Sequence, residues 1–409
     1  MQKYEKKNFY FLTLGQFVSL IGDKISLAVF ISIAVAIIGT TESTYNSSFL
    51  IATLYAPLFL FGYLFGLLAD KKKKKELMIL SDILRATLIL SLLFFNDSLL
   101  YLYCCVFLIG VLTSMFEPCK KSIMPFLVPK EKIIFYNKIY ASLEIIALLV
   151  GFLFGTYLIE AFSLSVALIF DASTYLFSAL LLVFIKYTQE TITKKKKEKP
   201  TTLKELKEGI HYIKNSIELK VILIGIVFFH FFASAFFVSS STDFSIRISQ
   251  SIGMSPGSSF SFLLFFIATG ALVSPVIKKL SQSIRESTLT KYIYLFGSIT
   301  LFLFVFSLKN FENNYYTALF FHFIIGIFAG LQYIRYIYLI QTNTQKRYLG
   351  RVVSVSDLIF ALGAILGLGL GAIINETLTY NSGFLITGVI YFIAYLYMVF
   401  STRKYKLNF

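Results

Sequence analysis

Four ionisable residues interrupt long apolar stretches of this sequence, at positions where water would be scarce. Asp23 and Lys24 are adjacent in the first stretch, and Glu144 and Asp171 lie in two later ones. An ionised side chain at the centre of a bilayer costs about 2.5–3.5 kcal/mol on insertion scales, so each needs a partner, a water-filled cavity or a function. A carboxyl group in such a setting can bind and release a proton. We therefore predict Asp23, Glu144 and Asp171 as candidate proton-coupling residues.

Structural roles would also explain these three carboxyl groups. Asp23 and Glu144 could each pair with a neighbouring helix, as a salt bridge or a cap, and the sequence leaves both roles open. For Asp171 the residue types favour the structural role, because Ser173 and Thr174 are close enough in sequence to satisfy its carboxylate. The side chains that meet in the fold decide between the two roles.

Two basic residues could bind an anionic substrate. Lys24 need not neutralise Asp23, because adjacent helical residues differ in direction by about 100°. Arg335 lies in the inner part of a later apolar stretch, with Tyr333 and Tyr336 close in sequence. An arginine there more often extends to the membrane surface, but it could attract an anion. We predict Lys24, Arg335, Tyr333 and Tyr336 as substrate-cavity candidates.

The composition requires a lipid environment for the elements that hold these residues. Of the 409 residues, 57% are hydrophobic and only 15% are charged. Apolar stretches of about twenty residues recur, and each can cross a hydrocarbon core of about 30 Å as a helix. We predict an all-α polytopic membrane protein with twelve transmembrane helices, at 9–38, 48–70, 76–95, 98–117, 137–160, 162–186, 219–246, 258–279, 291–308, 315–340, 353–375 and 380–402.

Basic residues alternate with these predicted helices and orient the chain. Lysines and arginines concentrate in every second connection, and the other connections carry mostly acidic residues. By the positive-inside rule, both termini are expected in the cytoplasm and the protein in the inner (plasma) membrane. The formal charge of +16 therefore comes from lysines and arginines that flank the predicted membrane helices, and it does not indicate nucleic-acid binding.

A polar stretch over 187–218 divides the chain into two sets of six helices. We predict an N-terminal six-helix bundle over 1–186, a cytoplasmic linker over 187–218 and a C-terminal six-helix bundle over 219–409. Apolar residues at three- and four-residue spacing after Pro200 predict an amphipathic helix on the inner membrane surface. These residues are Leu203, Leu206, Ile210, Ile213 and Ile217.

A short motif joins the second and third predicted helices. The run from Gly66 to Lys75 reads G-L-L-A-D-K-K-K-K-K. It resembles the G-x-x-x-D-R-x-G-R-K signature of the major facilitator superfamily, with Lys71 and Lys73 replacing an arginine and a glycine. A glycine permits close helix approach, and an aspartate at a helix end can pair with cations. The residues that we predict to gate a conformational change are Gly66, Asp70, Lys71, Lys74, Asp82 and Arg85.

Further segments are similar to the macrolide-efflux branch of that superfamily, which also includes siderophore exporters. They are GQFVSL at 15–20, LVPKE at 127–131, DA at 171–172, LKEGI at 206–210 and YLGRV at 348–352. The resemblance implies two six-helix pseudo-repeats in the major facilitator fold. It also implies proton-coupled export of a small amphipathic molecule, such as a macrolide drug or a siderophore, by alternating access.

A polytopic membrane enzyme acting on lipid-linked sugars is the alternative. Such an enzyme should carry paired acids or His and Arg clusters in a large outer loop, whereas the predicted outer loops here are short. The sequence has no G-x-x-x-x-G-K-[ST] loop for ATP, no CxxC pair and only three scattered histidines. We expect a monomeric non-enzyme without cofactor or metal, driven by a proton gradient, whose partners are a small-molecule substrate and the lipid bilayer.

Overall fold

The computed structural model describes residues 2–39, 43–71, 73–127, 133–186, 202–281, 283–310, 315–345 and 348–407. Within these ranges the secondary structure is helical and contains no β-strand. The helices of the first half are α1 (Gln2–Ile38), α2 (Ser43–Lys71), α3 (Lys74–Ser91), α4 (Leu99–Leu127), α5 (Ile133–Ala161) and α6 (Leu164–Phe184).

A short helix and six longer helical segments make up the second half. The short helix α7 is Thr202–Lys214. The others are α8 (Ile217–Ile222), a π-helical turn (Leu223–Phe228) that runs into α9 (Phe229–Ser249), α10 (Pro256–Leu280), α11 (Glu286–Asn310), α12 (Tyr315–Asn343), α13 (Leu349–Thr377) and α14 (Tyr380–Lys404).

Ten helical segments in the described ranges are long and apolar enough to cross a membrane. They are α1, α4, α5, α6, the continuous segment Ile217–Ser249, and α10 to α14. The remaining two long helices are α2, whose described apolar part is Asn46–Gly62, and α3, which carries the charged pair Asp82 and Arg85. The prediction of an all-α polytopic membrane protein with twelve helices is confirmed.

The chain divides into two compact units that differ from the predicted bundles by one segment. One unit comprises Met1–Lys195 and Ser245–Phe265, and the other comprises Lys196–Phe244 and Phe266–Phe409. The predicted boundaries of the two bundles and the linker, at 186 and 219, stay a prediction.

In the first unit, α1 packs along α5 and α6. Glycines allow the close approach, since a Cβ atom added at Gly15 or Gly155 would lie 3.3 Å from the backbone of the facing helix. Close helix packing through small residues is the usual device of membrane helices. The same unit contains Asp23, Asp82 and Asp171.

In the second unit, α13 packs against the π-helical turn and α9 through three glycines spaced four residues apart, which are Gly363, Gly367 and Gly371. A Cβ atom at Gly363 would lie 3.1 Å from a carbonyl oxygen of the π-helical turn, and one at Gly371 would lie 2.8 Å from Ser239 Cβ. The pairs α1–α5 and α9–α13 therefore use the same packing device. This agrees with the predicted pseudo-repeats.

The helix predicted after Pro200 is present as α7 and packs on the start of α13. The rings of Tyr212 and Tyr348 stack with centroids 4.5 Å apart, and Arg351 pairs with Glu208 at 2.7 Å. Ile213 is buried, whereas Ile210 is 37% exposed. Its position on the inner membrane surface stays a prediction.

Candidate proton-coupling site

Three helices of the first unit bring five ionisable side chains into one buried cluster. α1 contributes Asp23, α3 contributes Asp82 and Arg85, and α6 contributes Asp171 and Tyr175. The last four residues are at most 2% exposed, whereas the Asp23 side chain is 27% exposed. The cluster is thus shielded, with Asp23 as its accessible member.

Arg85 is held between carboxylates and aromatic rings. It pairs with Asp82 one turn earlier on α3, and its Nη1 lies 3.8 Å from Asp23 Oδ1. Its guanidinium lies 4.4 Å from the ring centre of Tyr175 and 4.8 Å from that of Phe116. The Tyr175 hydroxyl donates to Asp23 Oδ1 at 2.5 Å. Cation–π contacts and hydrogen bonds therefore fix both groups that face Asp23.

Asp171 is tied to α1 by the Ser26 hydroxyl, which donates to its Oδ2. In the described part of the chain, Asp171 Oδ1 is buried and has no hydrogen-bond partner. The sequence favoured Ser173 and Thr174 as partners, and this was wrong. Both hydroxyls donate to backbone carbonyls of α6, because short polar side chains within a helix readily bond to the preceding turn.

A glycine makes room for Asp171 against α1. A Cβ atom at Gly22 would collide with Asp171 Oδ1 and with Thr174 Oγ1. Gly22, Ser26 and Tyr175 are site residues that were not predicted from the sequence. Tyr175 stands four residues after Asp171, so helical periodicity alone could have placed both on one face.

The charges of the cluster do not balance. Arg85 is the one cation among three carboxyl groups, and Lys24 extends along α5 instead. Unpaired carboxylates are costly in a low-dielectric interior, so such a cluster can take up a proton and release it when its surroundings change. The arrangement thus has the chemistry of a proton-binding site.

Asp82 and Arg85 were predicted as part of a gate, and the structure places them in this cluster. They lie on the buried face of α3 together with Met78, Ser81 and Ala86. Gly66, Asp70 and Lys71 belong to α2, but their surroundings are outside the described part of the structure, and Lys74 is buried at the first turn of α3. A gating role for these residues stays a prediction.

Glu144 lies apart from the cluster, in an ion pair. Its Oε1 is 3.6 Å from Lys120 Nζ, which also donates to Glu117 Oε1 at 2.5 Å. The Glu144 side chain is 41% exposed. The salt-bridge role is thus present, and proton coupling at Glu144 stays a prediction.

Arg335 of the second unit is fully buried and bound to the first residue of α11. Its Nε donates to Glu286 Oε2 at 2.7 Å, and a second nitrogen donates to the Glu286 carbonyl oxygen. Lys278 pairs with the other carboxylate oxygen of Glu286. Arg335 is therefore not exposed to solvent, and its charge is engaged in this ion pair.

The two predicted tyrosines near Arg335 differ in exposure. Tyr333 is 50% exposed, whereas Tyr336 is 9% exposed and accepts a hydrogen bond from the Ser356 hydroxyl at 3.2 Å. Their ring centres lie 5.9 Å apart. Whether Tyr333, Tyr336 or Arg335 contacts a substrate stays a prediction.

The Arg335→Leu substitution is expected to destabilise the protein by about 1.5–3 kcal/mol, the usual contribution of hydrogen bonds to charged groups. Glu286 would keep Lys278 as a partner, which limits the loss. Thermal unfolding in detergent measures the effect. Arg285→Leu is the matched control, because Arg285 is exposed and adjacent to Glu286. Equal unfolding temperatures for both variants would contradict a stabilising role of Arg335.

The sequence as a whole matches known transporters. The family model of the Major Facilitator Superfamily matches residues 12–355 and 289–408. The chain is 24% identical over 395 residues to "Uncharacterized MFS-type transporter YfiS" of Bacillus subtilis (strain 168), which covers 94% of this chain and 90% of that protein. It is 23% identical over 409 residues to "Macrolide efflux protein A" of Streptococcus pyogenes, covering 95% of each.

Solved transporters share the fold. The nucleoside transporter NupG superposes with a TM-score of 0.74 at 12% identity, covering 97% of this chain and 99% of that one. A bacterial homologue of the iron transporter ferroportin, in an inward-facing state, gives 0.72 at 14% identity, covering 97% and 98%. At these identities the likeness establishes the fold alone.

Proposed function

Because the chain belongs to the Major Facilitator Superfamily, we propose that it is a secondary active transporter that exports a small amphipathic molecule in exchange for protons. The observation that carries this proposal is the buried cluster of Asp23, Asp82 and Asp171 around Arg85. Its surplus of carboxyl groups supplies a proton-binding site, and Asp23, whose side chain is 27% exposed, is its least buried member.

Proton movement supplies enough energy for this task. One charge moved through 100 mV corresponds to about 2.3 kcal/mol, so one or two protons can support a substantial substrate gradient. The sequence offers no nucleotide-binding loop as another energy source. Proton entry would neutralise Asp23 or Asp171, and alternating access would then expose the cluster to the other side of the membrane.

Export and the class of cargo are suggested by the similar proteins. The similarity to a macrolide efflux protein favours outward transport of an organic molecule. The 45 phenylalanines and 26 tyrosines suit amphipathic compounds. The cargo is a macrolide-like drug or a siderophore-like chelator. The matched family and relatives are transporters, and no observation on the chain favours a lipid-linked sugar enzyme.

The proposed setting is the inner membrane, with both termini in the cytoplasm. The alternation of basic connections supports this orientation. We propose a monomer without cofactor or metal, in which the α2–α3 motif gates the conformational change.

Cells that express the chain are expected to accumulate less of at least one compound from a panel of macrolides and siderophores than cells without it. An uncoupler should remove the difference, because it collapses the proton gradient that drives export. Cytoplasmic accumulation of labelled compounds measures both effects. Unchanged accumulation across the panel, or a difference that survives the uncoupler, would contradict proton-coupled export.

A further inference from the structure

We propose that Lys24 binds an acidic group of the cargo, so that the transported molecule is an amphipathic anion. This inference rests on the proposed transport function and adds the substrate class to it. Lys24 lies in the middle of the candidate membrane span Lys7–Ile38. At about 1.5 Å per residue, each end of that span is more than about 20 Å away along the helix. A hydrocarbon core of about 30 Å leaves a residue at its middle about 15 Å from either membrane surface, which is beyond the reach of a lysine side chain.

The neighbouring Asp23 does not neutralise Lys24. The Asp23 carboxylate faces α3 and α6, where it accepts from the Tyr175 hydroxyl and lies 3.8 Å from Arg85. Lys24 turns towards α5, where a Cβ atom added at Gly151 would lie 2.8 Å from Lys24 Cβ and 3.1 Å from its Cγ. The two adjacent side chains therefore occupy different faces of α1, as helical geometry requires.

No other acid in the described part of the chain compensates Lys24. In that part of the chain, no aspartate or glutamate has a carboxylate oxygen within the ion-pair distance of 4.0 Å from the Lys24 ammonium group. On α5, the helix that Lys24 faces, Glu144 is engaged with Lys120. A cation held at this depth without a counter-charge is costly, and such residues mark substrate or ion pathways. The missing anion is then supplied by the cargo.

The second candidate cation, Arg335, already has an acidic partner. Arg335 is fully buried and bound to Glu286, so an anionic group would have to displace an existing carboxylate. Lys24 has no such competitor. An ammonium group recognises an oxyanion as a point charge, without the fixed bidentate geometry of arginine, so it accepts a carboxylate in many orientations. This favours an acidic cargo, such as a siderophore, over a cationic drug.

Gly151 positions the Lys24 side chain. A methyl group at Gly151 would be too close to the lysine stem and would push it off α5. The proposed anion site therefore consists of Lys24 on α1, with Gly151 of α5 packed against the aliphatic part of the lysine side chain.

Thermal unfolding of the purified full-length protein in detergent tests this inference. The probes are salicylic, 1-naphthoic, indole-3-acetic and cholic acids, each compared with its primary amide. At least one acid is expected to raise the unfolding temperature of the unmodified protein more than its amide does. Lys24→Gln should abolish that difference, and Lys24→Arg should retain it. Lys220→Gln, at an exposed lysine of α8, is the matched control and should also retain it.

A second readout needs no ligand. Lys24→Gln removes an uncompensated charge, so the ligand-free variant should unfold at least about 2 °C above the unmodified protein, while Lys220→Gln should not. Equal shifts or no shifts for acids and amides would overturn the inference. So would an acid-specific shift that persists in Lys24→Gln, or an unaltered unfolding temperature of that variant.

The failure of this inference differs from a failure of the proposed function. If acids and amides behave alike but uncoupler-sensitive export is observed, the anion site falls and proton-coupled export stands. If Lys24→Gln loses the acid-specific shift but export is insensitive to uncoupler, the anion site stands and proton coupling falls.

Discussion

The Asp23→Asn substitution is expected to abolish proton-driven export and to leave the protein folded. Asparagine has nearly the size of aspartate, and its carbonyl oxygen can still accept the Tyr175 hydroxyl. It cannot bind a proton in the relevant range, so the most accessible member of the cluster no longer responds to the gradient. Transport in everted vesicles with an imposed pH gradient measures the loss, and thermal unfolding verifies the fold.

The matched control for this experiment is Asp97→Asn. Asp97 is exposed in the connection between α3 and α4, so its variant should transport like the unmodified protein. Exchange of labelled for unlabelled cargo, which needs no net proton movement, should survive in Asp23→Asn. Full pH-driven transport in that variant would remove Asp23 as the proton carrier and leave Asp82 and Asp171 as the remaining carboxyl groups of the cluster.

The Arg85→Leu substitution is expected to destabilise the protein by about 3–5 kcal/mol, the usual cost of removing one partner from a buried ion pair. Asp82 is completely buried, and Arg85 is its ion-pair partner. The substitution also removes the contacts with the Tyr175 and Phe116 rings. A large fall in unfolding temperature, or loss of folded protein from the membrane, is the expected observation.

A double variant separates charge from packing. Asp82→Asn combined with Arg85→Leu removes both charges of the pair, so it should be more stable than Arg85→Leu alone. The remaining deficit would report the lost contacts of the guanidinium with the aromatic rings. If Arg85→Leu were as stable as the unmodified protein, or the double variant no more stable than the single one, the ion pair would not organise the cluster.

The helices could be predicted from the sequence because the constraint that lipid places on the backbone acts within each stretch. Each apolar stretch must satisfy its own backbone, so hydrophobic length predicts a helix without knowledge of its neighbours. The predicted stretch 380–402, for example, corresponds to α14, which is Tyr380–Lys404. The hardest helix to identify by hydropathy is α3, because Asp82 and Arg85 interrupt it.

Only part of the candidate site could be predicted from the sequence. Asp23 and Asp171 stood out because they are charged residues in apolar stretches. Their meeting with Asp82 and Arg85 depends on how α1, α3 and α6 pack, and no spacing along the chain records that. The same limit explains why Ser26, far from Asp171 in sequence, was missed as its partner.

Arg335 illustrates a further limit of the sequence. As a single charged residue in an apolar stretch, it was a reasonable candidate for anion binding. Its partner Glu286 begins another helix, and the ion pair exists only because α11 and α12 pack side by side. Lys24 is the opposite case, since none of the described helices supplies it with an acid.

Proton flux through the purified protein shows whether export is coupled to protons through Asp23. The protein is reconstituted in vesicles that contain a pH-sensitive dye, and an outward gradient of an exported compound from the cell panel is imposed. We expect proton movement opposite to the cargo in the unmodified protein and none in Asp23→Asn. Cargo movement without any proton movement in the unmodified protein would contradict this coupling.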